Sequence, residues 1–271
     1  MINQFRIEEQ PNYIAHGDEA DAFVAAFETH IPLIIKGPTG CGKTRFVEHM
    51  AYRLSLPLIT VSCHEDLTAA DLVGRFLFKD DETVWQDGPL TLAVRHGGIC
   101  YLDEIVEARK DTTVIIHSLS DYRRMLYVDK TGEVIQAHPD FMMVLSYNPG
   151  YQSIVKDLKQ STKQRFASLI FEHPHVETEA KIIQTETGLS AARSRDLAEM
   201  GARIRELQGF GLDEGVSSRL LVYAGKLIRQ GLSPVDACRY AIGQTLTDEI
   251  EVMASIEDIV QLYFGDLMED A

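Results

Sequence analysis

Residues Gly37-Pro38-Thr39-Gly40-Cys41-Gly42-Lys43-Thr44 fit the pattern G-x-x-x-x-G-K-[ST], and each fixed residue type has a physical task. Glycines let the backbone turn so that successive N–H groups converge on phosphate oxygens, and a helix starting at the same point adds the positive end of its dipole. Lys43 is suited to reach the β- and γ-phosphates of a nucleoside triphosphate such as ATP, and the Thr44 hydroxyl to ligate Mg²⁺. The competing reading is a glycine-rich turn that binds nothing. The flanks argue against it: Pro32 to Lys36 reads as a buried strand, and Phe46, Val47, Met50, Ala51 and Leu54 recur as the apolar stripe of a helix.

A bound triphosphate needs a second contact to the metal and, if water is the nucleophile, a group that positions the water. Ile99-Cys100-Tyr101-Leu102-Asp103-Glu104 supplies both. An apolar strand that ends in adjacent acids points them in different directions, so Asp103 can serve the metal shell while Glu104 polarises the water. The alternative is an ordinary acidic strand end. A third buried run, Phe141 to Leu145, leads into Ser146-Tyr147-Asn148-Pro149-Gly150, which makes Asn148 a polar tip on a core strand. In a parallel sheet such tips line one crevice, where Asn148 could bond the γ-phosphate or the lytic water. An Asn-Pro-Gly turn would suit the same residues equally well, and the residues alone leave both readings open.

These groups have to be held by a sizeable scaffold. The chain has 271 residues, 45% of them hydrophobic and 25% charged. A chain of this length buries about three quarters of its extended surface, enough for one medium domain and one small one. An α/β nucleotide-binding core with a central parallel sheet is expected over residues 1–175. Beyond it, apolar positions fall at helical spacing: Ile182 and Ile183; Leu197, Met200, Ile204 and Leu207; Leu220, Val222, Tyr223 and Leu227; Ile256, Ile259, Val260 and Phe264. An all-α domain is therefore expected over 176–271, with Ser233-Pro234 as a cap and first-turn proline. Near the start, Ala20, Phe23, Val24 and Phe27 predict a helix from Asp18 to His30 with Asp18 as its cap.

Charge and composition exclude several classes of function. With 26 Lys plus Arg against 41 Asp plus Glu, the net charge is −15, which works against binding a phosphate backbone or an anionic bilayer. Neither nucleic acid nor a membrane is expected as a partner. No window approaches the roughly 18 apolar residues of a membrane span, and the N-terminus has no basic segment followed by an apolar one, so a cytoplasmic protein is expected. Cys41, Cys63, Cys100 and Cys238 have no C-x-x-C pairing, which points to reduced thiols. His173-Pro174-His175 has no acid, His or Cys partners at ligand spacing and reads as a strand-to-loop transition.

Taken together, these stretches resemble the AAA+ ATPases of the MoxR class, within it the CbbQ/NirQ/NorQ group, over nearly the whole chain. The resemblance is carried by Lys36 to Thr44 with Arg45-Phe46-Val47-Glu48, Cys63 to Arg75, Trp85 to Ala93, Tyr101 to Glu104, Asp140 to Gly150, Lys159 to Phe166 and Val216 to Ala224. It implies that Asn148 is the sensor-1 residue. It implies Arg165 as the arginine finger that reaches a neighbouring subunit's site, a task that suits a planar, permanently charged guanidinium. It also implies Arg219 as sensor 2, extending from a helical lid. The alternative for each is a solvated surface arginine.

Gly74 to Gly88 carries Phe76, Leu77 and Phe78, a turn at Lys79 to Thr83, then Val84 and Trp85, and reads as a hairpin interrupting a helix. The resemblance makes it the helix-2 insert, facing a pore or a target. A second hairpin, at about 124–137 with its turn at Asp129 to Glu133, resembles the insert before sensor 1. Residue type does not decide whether Phe76, Phe78 and Trp85 protrude or pack inward.

What the resemblance implies overall is a Mg-ATP-hydrolysing ring, hexameric in the family, that acts as a remodelling chaperone on another protein. CbbQ-like members work with a von Willebrand factor A (VWA) partner of CbbO type to release inhibitory sugar phosphates from Rubisco. NirQ- and NorQ-like members serve the maturation of nitric oxide reductase. Overall likeness favours Rubisco activation, with the reductase as the alternative. A P-loop kinase or a passive nucleotide-dependent switch are the alternatives from other classes.

Overall fold

The computed structural model describes residues 2–149, 158–209, 211–212 and 214–265. Gly150, which closes the expected Asn-Pro-Gly turn, and residues 266–271 of the expected helical domain lie outside that set. The chain divides into two units. One comprises Met1–Gly37 and Lys43–Phe171, the other Pro38–Gly42 and Glu172–Ala271.

The first unit opens with α1 (Glu19–Glu28), β1 (Leu33–Lys36), α2 (Lys43–Arg53) and β2 (Leu58–Ser62). Next come α3 (Ala69–Val73), β3 (Gly74–Lys79), β4 (Glu82–Asp87), α4 (Pro89–His96) and β5 (Gly98–Asp103). It closes with α5 (Lys110–Ile115), β6 (Met125–Val128), β7 (Glu133–Gln136), β8 (Phe141–Tyr147), α6 (Gln160–Lys163) and β9 (Ala167–Ile170). Five strands form one sheet in the order β2-β5-β8-β1-β9, and every pairing in it is parallel. Parallel strands covered on both faces need continuous apolar runs, and β8 is buried along its whole length. This order places β8 between β1 and β5, so the strand ends that lead to Gly37, Asn148 and Glu104 lie side by side.

The first helix is shorter than its periodicity predicts, and Asp18 occupies the N-cap position without a side-chain cap bond. The first-turn Glu19 instead accepts from the His16 N–H at 2.8 Å and the Tyr13 hydroxyl at 2.7 Å. At the other end the Thr29 hydroxyl bonds back to the Ala25 carbonyl at 2.6 Å, and His30 turns to φ 58°.

Helices α3 and α4 are separated by the β3–β4 hairpin, as the glycines at 74 and 88 suggest. A Cβ on Gly88 would lie 2.3 Å from the Leu72 carbonyl oxygen, so the chain can return beside its own exit only on bare backbone. The five-residue turn expected at the tip tightens to two residues, Asp80 and Asp81, both at positive φ, with Lys79 paired to Glu82. The aromatic side chains divide: Phe76 and Phe78 are 48% and 75% exposed, whereas Trp85 is half-buried against the core and donates Nε1–H to Asp87 at 2.7 Å. Arg95 on α4 ties both hairpins together, donating to Asp87 at 3.0 Å and through both terminal nitrogens to Glu133 at 2.7 and 2.9 Å.

In the second unit, α7 (Val176–Thr187), α8 (Ala191–Arg205), α9 (Ser218–Arg229), α10 (Pro234–Cys238), α11 (Gln244–Leu246) and α12 (Ile250–Phe264) enclose a separate core. Ser190, Ser217 and Ser233 cap α8, α9 and α10 by accepting from backbone N–H groups in the first turn. On α9 the buried face is Leu221, Ala224 and Gly225, and Tyr223 is exposed, so the stripe is rotated from the one expected there. All four cysteines are buried, and no disulfide joins any of them among the described residues. No helix among the described residues is long and apolar enough to cross a membrane.

Candidate functional site

The glycine loop runs from the end of β1 to the start of α2. Lys43, 6% exposed, folds back so that Nζ donates to the Gly37 carbonyl at 2.8 Å. The middle of the loop, Pro38–Gly42, belongs to the second unit. There Thr39 donates its hydroxyl to Glu214 at 3.3 Å, and Gly40 has φ +69°. A Cβ on Gly40 would lie 2.5 Å from Ser217 Cβ and 3.6 Å from Arg219 Cβ. The loop tip therefore meets the N-terminus of α9 only because residue 40 has no side chain. Cys41 is buried.

The segment carrying Arg219 is held from behind by a buried ion pair. Arg205 donates two bonds to Glu179, at 2.8 and 2.6 Å, and a third to the Val216 carbonyl at 2.8 Å. The Ser218 hydroxyl donates to Glu179 as well. Arg219 itself is exposed.

In the first unit, β5 brings its terminal acid to the start of α2. Asp103 Oδ2 accepts from the Thr44 hydroxyl at 3.4 Å. Oδ1 accepts from the Tyr101 hydroxyl at 2.8 Å and from the Ser146 hydroxyl. Burial, and then the Asp103 charge, push the Tyr101 phenol well above its ordinary pKa, so it remains a donor. Glu104 leaves the strand in the left-handed conformation, φ 55° and ψ 45°, and its N–H donates to Ser146 Oγ at 3.2 Å. Asn148 follows β8 directly and is 5% exposed. Tyr101 and Ser146 are absent from the sequence-based site. Tyr101 had a usable signal, since residues two apart on a strand share a face and Asp103 is two positions on. Ser146 had only its nearness to Asn148.

Thr44 and Asp103 present hard oxygen donors, the ligand class Mg²⁺ prefers, and two such donors suit an ion that also binds substrate phosphates. Among the described residues, no group of three or more His, Cys, Asp or Glu side chains lies together to hold a metal.

Arg165 belongs to a different cluster. It donates Nη1–H to the His117 carbonyl at 3.1 Å and lies 3.5 Å from Asp121. The hydrogen bond from Arg123 keeps the Asp121 carboxyl below the ordinary carboxylate range. His117 bonds Thr162 of α6 at 2.9 Å, and its pKa is lowered by burial and then by the Arg165 and Lys159 charges. The guanidinium is thus held by the segment that follows α5, and that segment is tied to α6 through His117. Of the basic pair Arg123-Arg124, the second is structural, donating to the carbonyls of His138 and Phe141 at 3.2 and 2.9 Å.

Residues 32–166 match the family described as AAA domain (dynein-related subfamily), and residues 179–263 match CbbQ/NirQ/NorQ C-terminal. The chain is 56% identical to the protein CbbQ of Hydrogenophilus thermoluteolus, covering 98% of this chain and 99% of that one. It is 53% identical to the protein NorQ of Paracoccus denitrificans, covering 95% of each. Identity is also 53% to the denitrification regulatory protein NirQ of Pseudomonas aeruginosa, over 93% of this chain and 97% of that one. Among solved structures, Thermotoga maritima RuvB superposes with a TM-score of 0.58 at 15% identity, over 95% of this chain and 74% of that chain. NtrX of Brucella abortus, in complex with ADP, gives 0.57 at 17%, over 94% and 64%. These two likenesses concern the fold alone. With a parallel sheet presenting a glycine loop and an acid pair, two family matches that span most of its length, and relatives half identical from end to end, the chain belongs to the CbbQ/NirQ/NorQ family of AAA+ ATPases.

Proposed function

We propose that the chain hydrolyses Mg-ATP in a ring of its own copies, a hexamer, and uses the energy to remodel a partner protein in the cytoplasm. The observation that carries this is the Thr44–Asp103 contact with Glu104 turned out of the strand next to it. Mg²⁺, held by Thr44 and Asp103, would offset phosphate charge and orient the terminal phosphoryl group. Lys43, freed from the Gly37 carbonyl, bonds the β- and γ-phosphates, and the N–H groups of Thr39 to Gly42 cradle the chain of phosphates. Glu104 accepts the proton of the attacking water, and Asn148 orients that water or the γ-phosphate. Arg219 acts as sensor 2, a reading supported by its closeness to Gly40 in the second unit, within a helical lid over residues 176–271. Arg165 acts on the next subunit's nucleotide.

The target we favour is Rubisco, freed of inhibitory sugar phosphates with the help of a VWA-domain protein of CbbO type. Maturation of nitric oxide reductase is the second reading, favoured by the nearly equal identity to NorQ and NirQ. Two measurements test these readings. Purified protein should release phosphate from ATP without any acceptor; transfer that requires an acceptor would make it a kinase. Sugar-phosphate-inhibited Rubisco, incubated with the protein, its VWA partner and ATP, should regain carboxylation. Failure there, together with ATP-dependent maturation of nitric oxide reductase, would reassign the target.

A further inference from the structure

Three hydroxyl groups converge on the Asp103 carboxylate, and only Thr44 belongs to the phosphate loop. Tyr101 and Ser146 both donate to Oδ1, leaving Oδ2 to face Thr44. Tyr101 and Ser146 are fully buried, so neither hydroxyl has water as an alternative partner. A hydroxyl donates one proton and retains two acceptor sites. Ser146 uses both capacities, giving its proton to Asp103 and receiving the Glu104 N–H at 3.2 Å. Glu104 needs that hold, because a residue with a side chain disfavours the left-handed region by about 1–2 kcal/mol. The same backbone turn takes Glu104 out of the strand's alternation and gives the two neighbouring acids different surroundings.

We infer that Ser146 is a positioning residue for the whole Asp103–Glu104 pair, fixing which carboxylate oxygen faces Thr44 and locking the Glu104 peptide, and that Tyr101 positions Asp103 alone. This rests on the ATPase reading above.

The test compares Ser146→Ala, Ser146→Cys and Tyr101→Phe in the full-length protein with two readouts. One is phosphate release. The other is the Mg²⁺ concentration at half-effect on the binding of a fluorescent N-methylanthraniloyl ATP, with metal-free binding as the baseline. Loss of one hydrogen bond to a charged group shifts an equilibrium about tenfold to a hundredfold. Ser146→Ala and Tyr101→Phe should both raise the Mg²⁺ midpoint by about that factor and leave metal-free binding within about twofold. Only Ser146→Ala should also slow turnover at saturating Mg²⁺, by at least about tenfold, and Ser146→Cys, which keeps the volume and a weak donor, should fall between it and wild type. If Ser146→Ala does not fold, the Cys and Phe variants carry the same comparison. An unchanged Mg²⁺ midpoint in a folded Ser146 variant overturns the inference while the ATPase reading stands. Equal turnover losses in Ser146→Ala and Tyr101→Phe overturn the Glu104 half. A wild-type protein that releases no phosphate overturns the ATPase reading itself, and this inference with it.

Discussion

Glu104 combines a conformational cost with the proposed role of proton acceptor. Its left-handed backbone is one that glycine adopts freely and glutamate does not. Replacing it should therefore separate stability from chemistry. Glu104→Gln keeps shape and hydrogen bonding but loses the proton acceptor. Phosphate release should fall by about 10²- to 10⁴-fold with ATP binding intact. Glu104→Gly should abolish turnover as well, yet raise unfolding stability by about 1 kcal/mol in denaturant titrations, because the backbone strain is relieved. A destabilised Gly variant would mean that contacts of the Glu104 side chain outweigh the strain. The glycine loop and the acid pair stood out in sequence because phosphate and metal chemistry accept few residue types at few spacings, and the structure brings Thr44 beside Asp103. Ser146 was not legible, because its importance lies in the register that pairs Leu102 of β5 with Leu145 of β8 and so brings Ser146 beside Asp103, whereas Tyr101 shares a strand face with Asp103 two positions on. No local pattern encodes that pairing.

At the level of elements, turn chemistry and apolar periodicity were readable, but pairing partners were not. The hairpins announced themselves through Asp-Asp and Thr-Gly turns between β-forming runs. By contrast β2 and β9 are short strands at the two edges of the sheet with interrupted burial, and they carry little signal in isolation. The helical unit holds a second element-scale surprise, the buried Arg205–Glu179 pair beneath the N-terminus of α9. The Glu179 side chain is fully buried and Arg205 nearly so. Removing one member leaves a desolvated charge without its partner, which costs about 3–5 kcal/mol. Arg205→Ala should lower stability by that amount in chemical denaturation, and it also strips the Val216 carbonyl of its donor. A loss below about 1 kcal/mol would show that the pair is solvated in practice and does not anchor α9. The pair escapes sequence reading because its members are 26 positions apart and each is unremarkable on its own helix.

For the whole molecule, the decisive question is whether an ATP site is completed within one chain or by two. Arg165 bonds the His117 carbonyl and lies 3.5 Å from Asp121, neither of which is part of the Thr44–Asp103 contact. A head-to-tail interface repeated around a closed ring gives every site one core and one borrowed arginine. Each single variant should then be nearly inactive: Glu104→Gln for want of its base, and Arg165→Ala by the 10³-fold or more that an arginine finger contributes. Mixing them changes the arithmetic. In a random one-to-one ring, about half the sites have Glu104 and about half of those face a neighbour with Arg165, so about a quarter of the sites are whole. If sites fire independently, two inactive preparations should combine to about a quarter of wild-type phosphate release. Were Arg165 to act on its own chain's nucleotide, no mixture could assemble a complete site, and the combined rate would stay at the sum of the two residual activities. A recovery well below a quarter but above that sum would mean that neighbouring sites must fire together, and its dependence on mixing ratio would count how many.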